Sequence, residues 1–230
     1  PVSYYTVLTA AYGLMIYRVN HAKEKRDGRK TILGDGASLV KVSVALSVPD
    51  RQSPESVLSR LKVISDGAKT YHRKGVQDLT SQVALELLRQ MDSVTSASSM
   101  HVQCSTPSEA NVEFNRMSVF ERAKFGKETV NNFNGKNNAI EEVPDNDKNQ
   151  KDSQSTFAVV TMLVSIEGDR TKIPNINSRR DLENALLRIA ADSQVEDCLL
   201  AAEILWTPEE NNEFLSNQNV VSSYPELVVI

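Results

Sequence analysis

The residue types that most often carry chemistry are scarce in this chain, and their spacing is unpromising. His21, His72 and His101 are its three histidines. They fall in a basic run, an inter-helix loop and a strand, and none stands at ligand spacing from a Cys, Asp or Glu, so no metal site is expected. Cys104 and Cys198 fall on expected strands and read as buried free thiols, with a redox-switched pair as the alternative. The sequence contains no Gly-x-Gly-x-x-Gly, no phosphate-binding Gly-Lys-Ser/Thr loop and no Gly-x-Ser-x-Gly elbow, and no cofactor is expected. One acid stands out. Glu203 sits inside the apolar run Leu199–Trp206, where a carboxylate is costly unless paired. It reads either as the general acid of a hydrolase-like enzyme or as half of a structural ion pair, with Arg122 or Lys124 as the cation. Trp206, the single tryptophan, either anchors a helix on a sheet or marks a contact surface. Ser118–Asn132 mixes both charges with aromatics. It reads as an amphipathic surface helix or as a docking face for a partner protein, for which Phe120, Arg122, Lys124, Phe125 and Trp206 are the candidate residues.

The elements that would position these residues follow from periodicity. Leu39–Val48 alternates, with Val40, Val42, Val44, Leu46 and Val48 on one face and Lys41, Ser43, Ala45 and Ser47 on the other, the pattern of a strand with one buried face. A helix is expected from Ser53 as cap with Pro54 in its first turn, and a second from Asp78 with Leu79, Val83, Leu87 and Met91 as its stripe. Ser93–Ser99 breaks the pattern before a short strand at Met100–Cys104. Thr106-Pro107 opens a helix through Phe114 and Met117, and Ser118 with Glu121 forms a capping box for another over Phe120–Val130. Asn131–Ser155 is rich in Asn and charge and reads as a flexible loop. Phe157–Ile166 is the most apolar strand, Asp181–Ala191 a helix, and Cys198–Trp206 a buried strand. Thr207-Pro208 starts a helix through Leu215, and Tyr224–Ile230 is an extended tail.

The chain has 230 residues, 40% apolar and 24% charged, near the averages for globular proteins. Its net charge of −4 argues against nucleic acid as a partner. That charge is uneven. Arg18, Lys23, Lys25, Arg26, Arg29 and Lys30 crowd together directly after Val2–Tyr17, a stretch with no charged residue. Tyrosines favour the membrane–water interface, and a basic run after an uncharged one is the mark of the positive-inside rule. Residues 1–19 are therefore expected to be a membrane helix or the remaining part of one, with Tyr4, Tyr5, Val7, Leu8, Leu14, Ile16 and Tyr17 in lipid. The bland reading is a buried or amphipathic helix of the globular body.

The body repeats itself. Lys41–Val48 resembles Val159–Ile166; each is followed by a helix containing Asp-Leu and by a strand ending in Thr-Pro-x-Glu, at Thr106–Glu109 and Thr207–Glu210. The expected fold class is α+β: two pseudo-duplicated strand–helix–strand–helix units that form a sheet of about four strands covered by helices. The expected organisation is an anchor at 1–19, a basic juxtamembrane linker at 20–38, a first half at 39–132, a flexible loop at 133–155 and a second half at 156–230.

Three ordered blocks carry a resemblance. They are Phe114–Ser118 with Glu121-Arg122, Lys124-Phe125, Glu128-Thr129 and Asn131-Asn132; Glu203–Pro208; and Tyr224–Leu227. Over roughly residues 39–230 the chain resembles an uncharacterised-domain family of cyanobacteria and plastids that includes the plant fluctuating-light acclimation protein. The resemblance implies a plastid membrane protein with a spanning segment ahead of the globular domain, and a non-enzymatic role in adjusting photosynthesis through photoprotection or acclimation to light. The implied partners are membrane lipid and protein subunits of a photosynthetic or other plastid membrane complex. The implied location is the thylakoid, with the body on the stromal side, or the envelope. A permanent structural subunit that braces such a complex is the alternative. No catalytic residues are carried over from the family.

Overall fold

The computed structural model describes residues 13–18, 31–131, 156–208 and 215–230, with 13–18 and 125–131 described by their backbone. Six strands form one antiparallel sheet. They are β1 (Gly13–Arg18), β2 (Ala37–Ser47), β3 (Val94–Cys104), β4 (Phe157–Glu167), β5 (Leu199–Thr207) and β6 (Val228–Val229), in the order β1-β5-β4-β2-β3-β6. The helices are α1 (Val57–Gly67), α2 (Arg73–Arg89), α3 (Pro107–Asn131), α4 (Arg179–Asp192) and α5 (Asn217–Ser223). The α+β class expected from the sequence holds.

β2 and β4 pair at the centre along their whole length, and Ser43 sits opposite Thr161 with their hydroxyl oxygens 2.9 Å apart. Their even-numbered residues Val40, Val42, Val44, Ala158, Val160, Met162 and Val164 form the floor of the main core, which α1, α2 and α4 cover with Leu61, Leu87, Leu182 and Leu186. The odd-numbered face is covered by α3 and α5, over two smaller clusters built on Leu39, Phe114 and Leu163 and on Ala45, Val159 and Tyr224. β2 and β4 are thus buried on both faces. Gly36, at the entry to β2, has φ +72° and lies so close to β3 that a Cβ there would stand 2.5 Å from the Cys104 carbonyl oxygen, a position that only glycine fills without strain.

Several boundaries differ from expectation. The helix caps are Ser56 for α1 and Ser178 for α4, whose hydroxyls accept the amides of Ser59 and Asp181; α2 starts at Arg73, ahead of Asp78. β3 begins at Val94, because the small residues Ser96, Ala97 and Ser98 fit the buried pleat beside β2. α3 is one helix through Ser118, which is buried in its middle, and not two. The Thr207-Pro208 bond is cis, and the next described helix is α5, capped by Ser216. The first half carries two helices between its strands and the second carries one.

The largest correction concerns the leader. Gly13–Arg18, expected to end a membrane helix, is strand β1, paired antiparallel with β5 from Gly13 opposite Trp206 to Arg18 opposite Ala201. Leu14, Ile16 and Tyr17 therefore belong to the sheet. An apolar run this short suits a strand as well as a helix, and its β-branched and aromatic members favour the strand. Among the described residues no helix is long and apolar enough to cross a membrane. Tyr4, Tyr5, Val7 and Leu8, the basic run at 19–30 and the loop at 133–155 lie outside the described residues.

Candidate functional site

The buried charges of the sheet gather under α3. Register places Ile16, Glu203, Leu163, Lys41 and Met100 in one row across β1, β5, β4, β2 and β3. Lys41 and Glu203 are thus two strand spacings apart, roughly 10 Å, with Leu163 between them. Both are buried, and Glu203 is 0% exposed. Consecutive residues of α3 answer them. Glu121 Oε1 lies 2.8 Å from Lys41 Nζ, and Arg122 Nε donates to Glu203 Oε1 at 2.7 Å.

Lys41 and Glu121 belong to a closed ring. Lys124 Nζ reaches Glu121 Oε2 at 2.9 Å and Glu226 Oε1 at 2.5 Å, and Glu226 Oε1 lies 3.6 Å from Lys41 Nζ. Two lysines alternate with two glutamates, so each charge has two opposite neighbours. Lys124 also stands 4.9 Å from the ring centroid of Tyr224 and 5.3 Å from that of Phe120, within cation–π range. Burial of the Glu226 carboxyl opposes ionisation, but the hydrogen bond from Lys124 and the charges of Lys124 and Lys41 outweigh it and hold Glu226 below its ordinary range. Through Glu226 the C-terminal segment is tied to α3 and to the centre of the sheet.

The residues singled out from the sequence separate here. Arg122 does pair with Glu203, as one reading of that acid required. Lys124 is buried in the ring, and Trp206 is buried among the aliphatic side chains of the main core on the opposite face of the sheet. Both are thereby removed from an exposed docking face, because each finds its partners inside the molecule. Phe120 is 63% exposed, and Val112 and Val119 on the same helix are 67% and 68% exposed. Residues 112, 116, 119, 120 and 123 share one side of a helix, so α3 carries an outward apolar stripe interrupted by Arg116, which pairs with Glu113. Phe125 lies in α3 with its side chain outside the described residues. Lys41 and Glu226 were missed from the sequence. Lys41 was assigned to a solvent face, and the signal that could have found it is a lone charge on a strand whose same-face neighbours Ser43 and Ala45 are small enough to sit beneath a helix.

Both thiols are buried and free, as one reading of them required, and His21 lies outside the described residues. Cys104 and Cys198 form no disulfide and lie in different clusters, Cys104 beside Ala37 and Ala110 and Cys198 in the main core. That separation lends the redox-pair alternative no support. Burial, then the charges of Glu109 and Glu113, push the Cys104 thiol up and away from the reactive thiolate. Burial, then the charge of Lys172, lower the pKa of His101. Among the described residues no group of three His, Cys, Asp or Glu side chains is placed to hold a metal ion.

A family model described as "protein of unknown function (DUF1517)" matches residues 36–230. The chain belongs to that family. It is 31% identical over 191 residues to the chloroplastic fluctuating-light-acclimation protein 1 of Arabidopsis thaliana, covering 83% of this chain and 46% of that protein. It is 33% identical over 129 residues to the protein named FLAP1 homolog A of Synechocystis sp., covering 54% of this chain and 37% of that protein. The chain therefore spans less than half the length of either relative. No solved structure matches it. The matched span begins one residue before β2 and contains every member of the charge ring and the Arg122–Glu203 pair.

Proposed function

We propose that this chain is a non-enzymatic regulatory domain of the plastid that docks onto a photosynthetic complex of the thylakoid during acclimation to changing light. The names of its relatives supply the setting, since one is a chloroplastic fluctuating-light-acclimation protein and the other its cyanobacterial homologue by name. The observation that carries the mode of action is α3. Its inner side is fixed by Glu121, Arg122 and Lys124, while its outer side offers Val112, Val119 and Phe120 to solvent. A rigid helix with an exposed apolar stripe and a charged surround is the form of a protein-binding surface.

The hydrolase reading of Glu203 finds no support in the geometry. A general acid must come within hydrogen-bond reach of its substrate, and Glu203 is fully buried with one oxygen engaged by Arg122. The test combines binding and physiology. The Val119→Asp/Phe120→Asp variant, expressed in place of the native chain, is expected to keep its melting temperature. It should lose co-purification with subunits of a defined photosynthetic complex from mildly solubilised membranes, and the light-acclimation response should fall with it. Undiminished co-purification, or a response abolished by Glu203→Gln at unchanged stability, would overturn the proposal. A strict one-to-one ratio to complex subunits by quantitative mass spectrometry would instead mark a permanent bracing subunit.

A further inference from the structure

β3 is the outer strand on its side of the sheet, and β6 covers only Ser96 and Ala97 of it. The remaining stretch, Ser98–Cys104, pairs with β2 on its inner side and with nothing on its outer side among the described residues. Such an edge presents a row of unpaired amides and carbonyls, and proteins commonly guard it with charges, prolines, bulges or a covering segment. The guards of this chain lie at the other end. The bulge falls between Val94 and Ser96, opposite Ala45 and Leu46, and β6 follows directly. Ser98–Cys104 reads Ser-Ser-Met-His-Val-Gln-Cys, with no Lys, Arg, Asp, Glu or Pro. Loop residues Pro174 and Ile176 bind the hydroxyl of Ser99, a side-chain contact that leaves the strand's outer backbone edge unpaired. Lys172 is the charge that reaches His101.

We propose that Ser98–Cys104 is a dimerisation edge that pairs antiparallel with the same strand of a second copy of this chain, about a two-fold axis at His101. Two features select a second copy. The open stretch is centred on His101, so self-pairing about that residue fills it from Cys104 to the point where β6 takes over. In that register the half-exposed Met100, 43% accessible, faces Val102 of the partner subunit on the side of the sheet that carries Lys41, which makes two apolar cross-strand pairs. Ser99 faces Gln103 of the partner subunit on the other side. The paired stretch itself carries no Lys, Arg, Asp or Glu, and the like charges that the axis brings nearest are the two copies of Lys172 beside His101. The result is one continuous twelve-stranded sheet with an isologous interface.

The test is the oligomeric state of the full chain. Sedimentation at increasing concentration is expected to move the wild-type protein from the mass of the chain to twice that mass. Hydrogen exchange of amides within 98–104 should slow over the same range, while exchange in α4 stays unchanged. The Met100→Glu/Gln103→Glu variant alters two accessible positions and sets like charges across the axis. It should remain monomeric at the highest concentration, with an unchanged circular dichroism spectrum. A wild-type chain that stays monomeric throughout overturns the proposal, as does a dimer whose 98–104 amides exchange no more slowly than the monomer's. If the variant is misfolded, the exchange measurement on the wild type decides alone.

Discussion

The two faces of the central sheet are closed by different physics. Under α1, α2 and α4 the contact is aliphatic, with Val40, Val42, Val160 and Met162 against Leu61, Leu87, Leu182 and Leu186. Under α3 a small apolar cluster of Leu39, Phe114, Met117 and Leu163 lies beside Lys41, Glu121, Lys124, Glu203 and Arg122. Apolar burial is strong and non-directional, so it holds helices down without choosing where along the sheet they lie. The charges do choose. Glu121 and Arg122 are neighbours of opposite sign that meet Lys41 and Glu203, also of opposite sign, on strands β2 and β5 with β4 between them. Shifting the helix by a single residue would bring Arg122 toward Lys41 and leave Glu203 unanswered. The face under the helix proposed for docking is thus the one whose register is specified by charge.

The comparison can be broken at its most exposed joint. Arg122→Met leaves a fully buried carboxylate without its cation, and urea denaturation should show a loss of about 4 kcal/mol, the range for breaking one side of a buried pair. Adding Glu203→Leu should restore most of it, because the pair replaced together by apolar groups costs little. On the other face Leu87→Ala should cost about 3 kcal/mol through transfer and cavity terms. Its effect should add to that of Arg122→Met within roughly 0.5 kcal/mol if the two faces are energetically separate, and strong coupling between them would refute that separation.

A smaller effect sharpens the account of the ring. Glu226 has a lowered pKa in the folded chain, so its ionised form contributes stability above its ordinary value near 4.5, and that contribution is lost as pH falls through the lowered value. Glu226→Gln should cost about 1 kcal/mol at pH 7, and the gap to the wild type should close in acid. The smallest change should come from Phe120→Ser. An exposed substitution of this kind moves stability by less than about 0.5 kcal/mol, so any loss of partner binding in that variant reports the surface and not the fold.

Much of the main core was legible in the sequence. β2, β4, β5 and α4 announced themselves through alternation or helical spacing, and their boundaries moved by only a few residues. The need of Glu203 for a cation was legible too, because a lone acid in an apolar strand demands one, but the choice between Arg122 and Lys124 was left to the structure. What escaped has physical causes. Serines and alanines that fill the buried start of β3 look like a loop when read without their neighbours. Ser118 and Glu121 carry the spacing of a helix start, yet the hydroxyl is buried in mid-helix and the carboxylate answers Lys41. Lys41 was hidden because alternation reports that a strand has two faces without reporting whether a helix covers the second. Gly13–Arg18 misled for a related reason, since an uncharged run does not say whether its solvent is lipid or protein.

The pairing of β1 with β5 sets the order in which the sheet can be completed. Gly13 finds its partner at Trp206, so during synthesis the earlier strand must wait, its backbone bonded to water, until almost the whole described chain has left the ribosome. Closure of that flank is therefore a late event in the life of each molecule. Until it happens, β5 and the Arg122–Glu203 clamp face the surroundings with one neighbour missing, a window in which a chaperone or a nascent partner would meet a different surface from the one the finished protein presents.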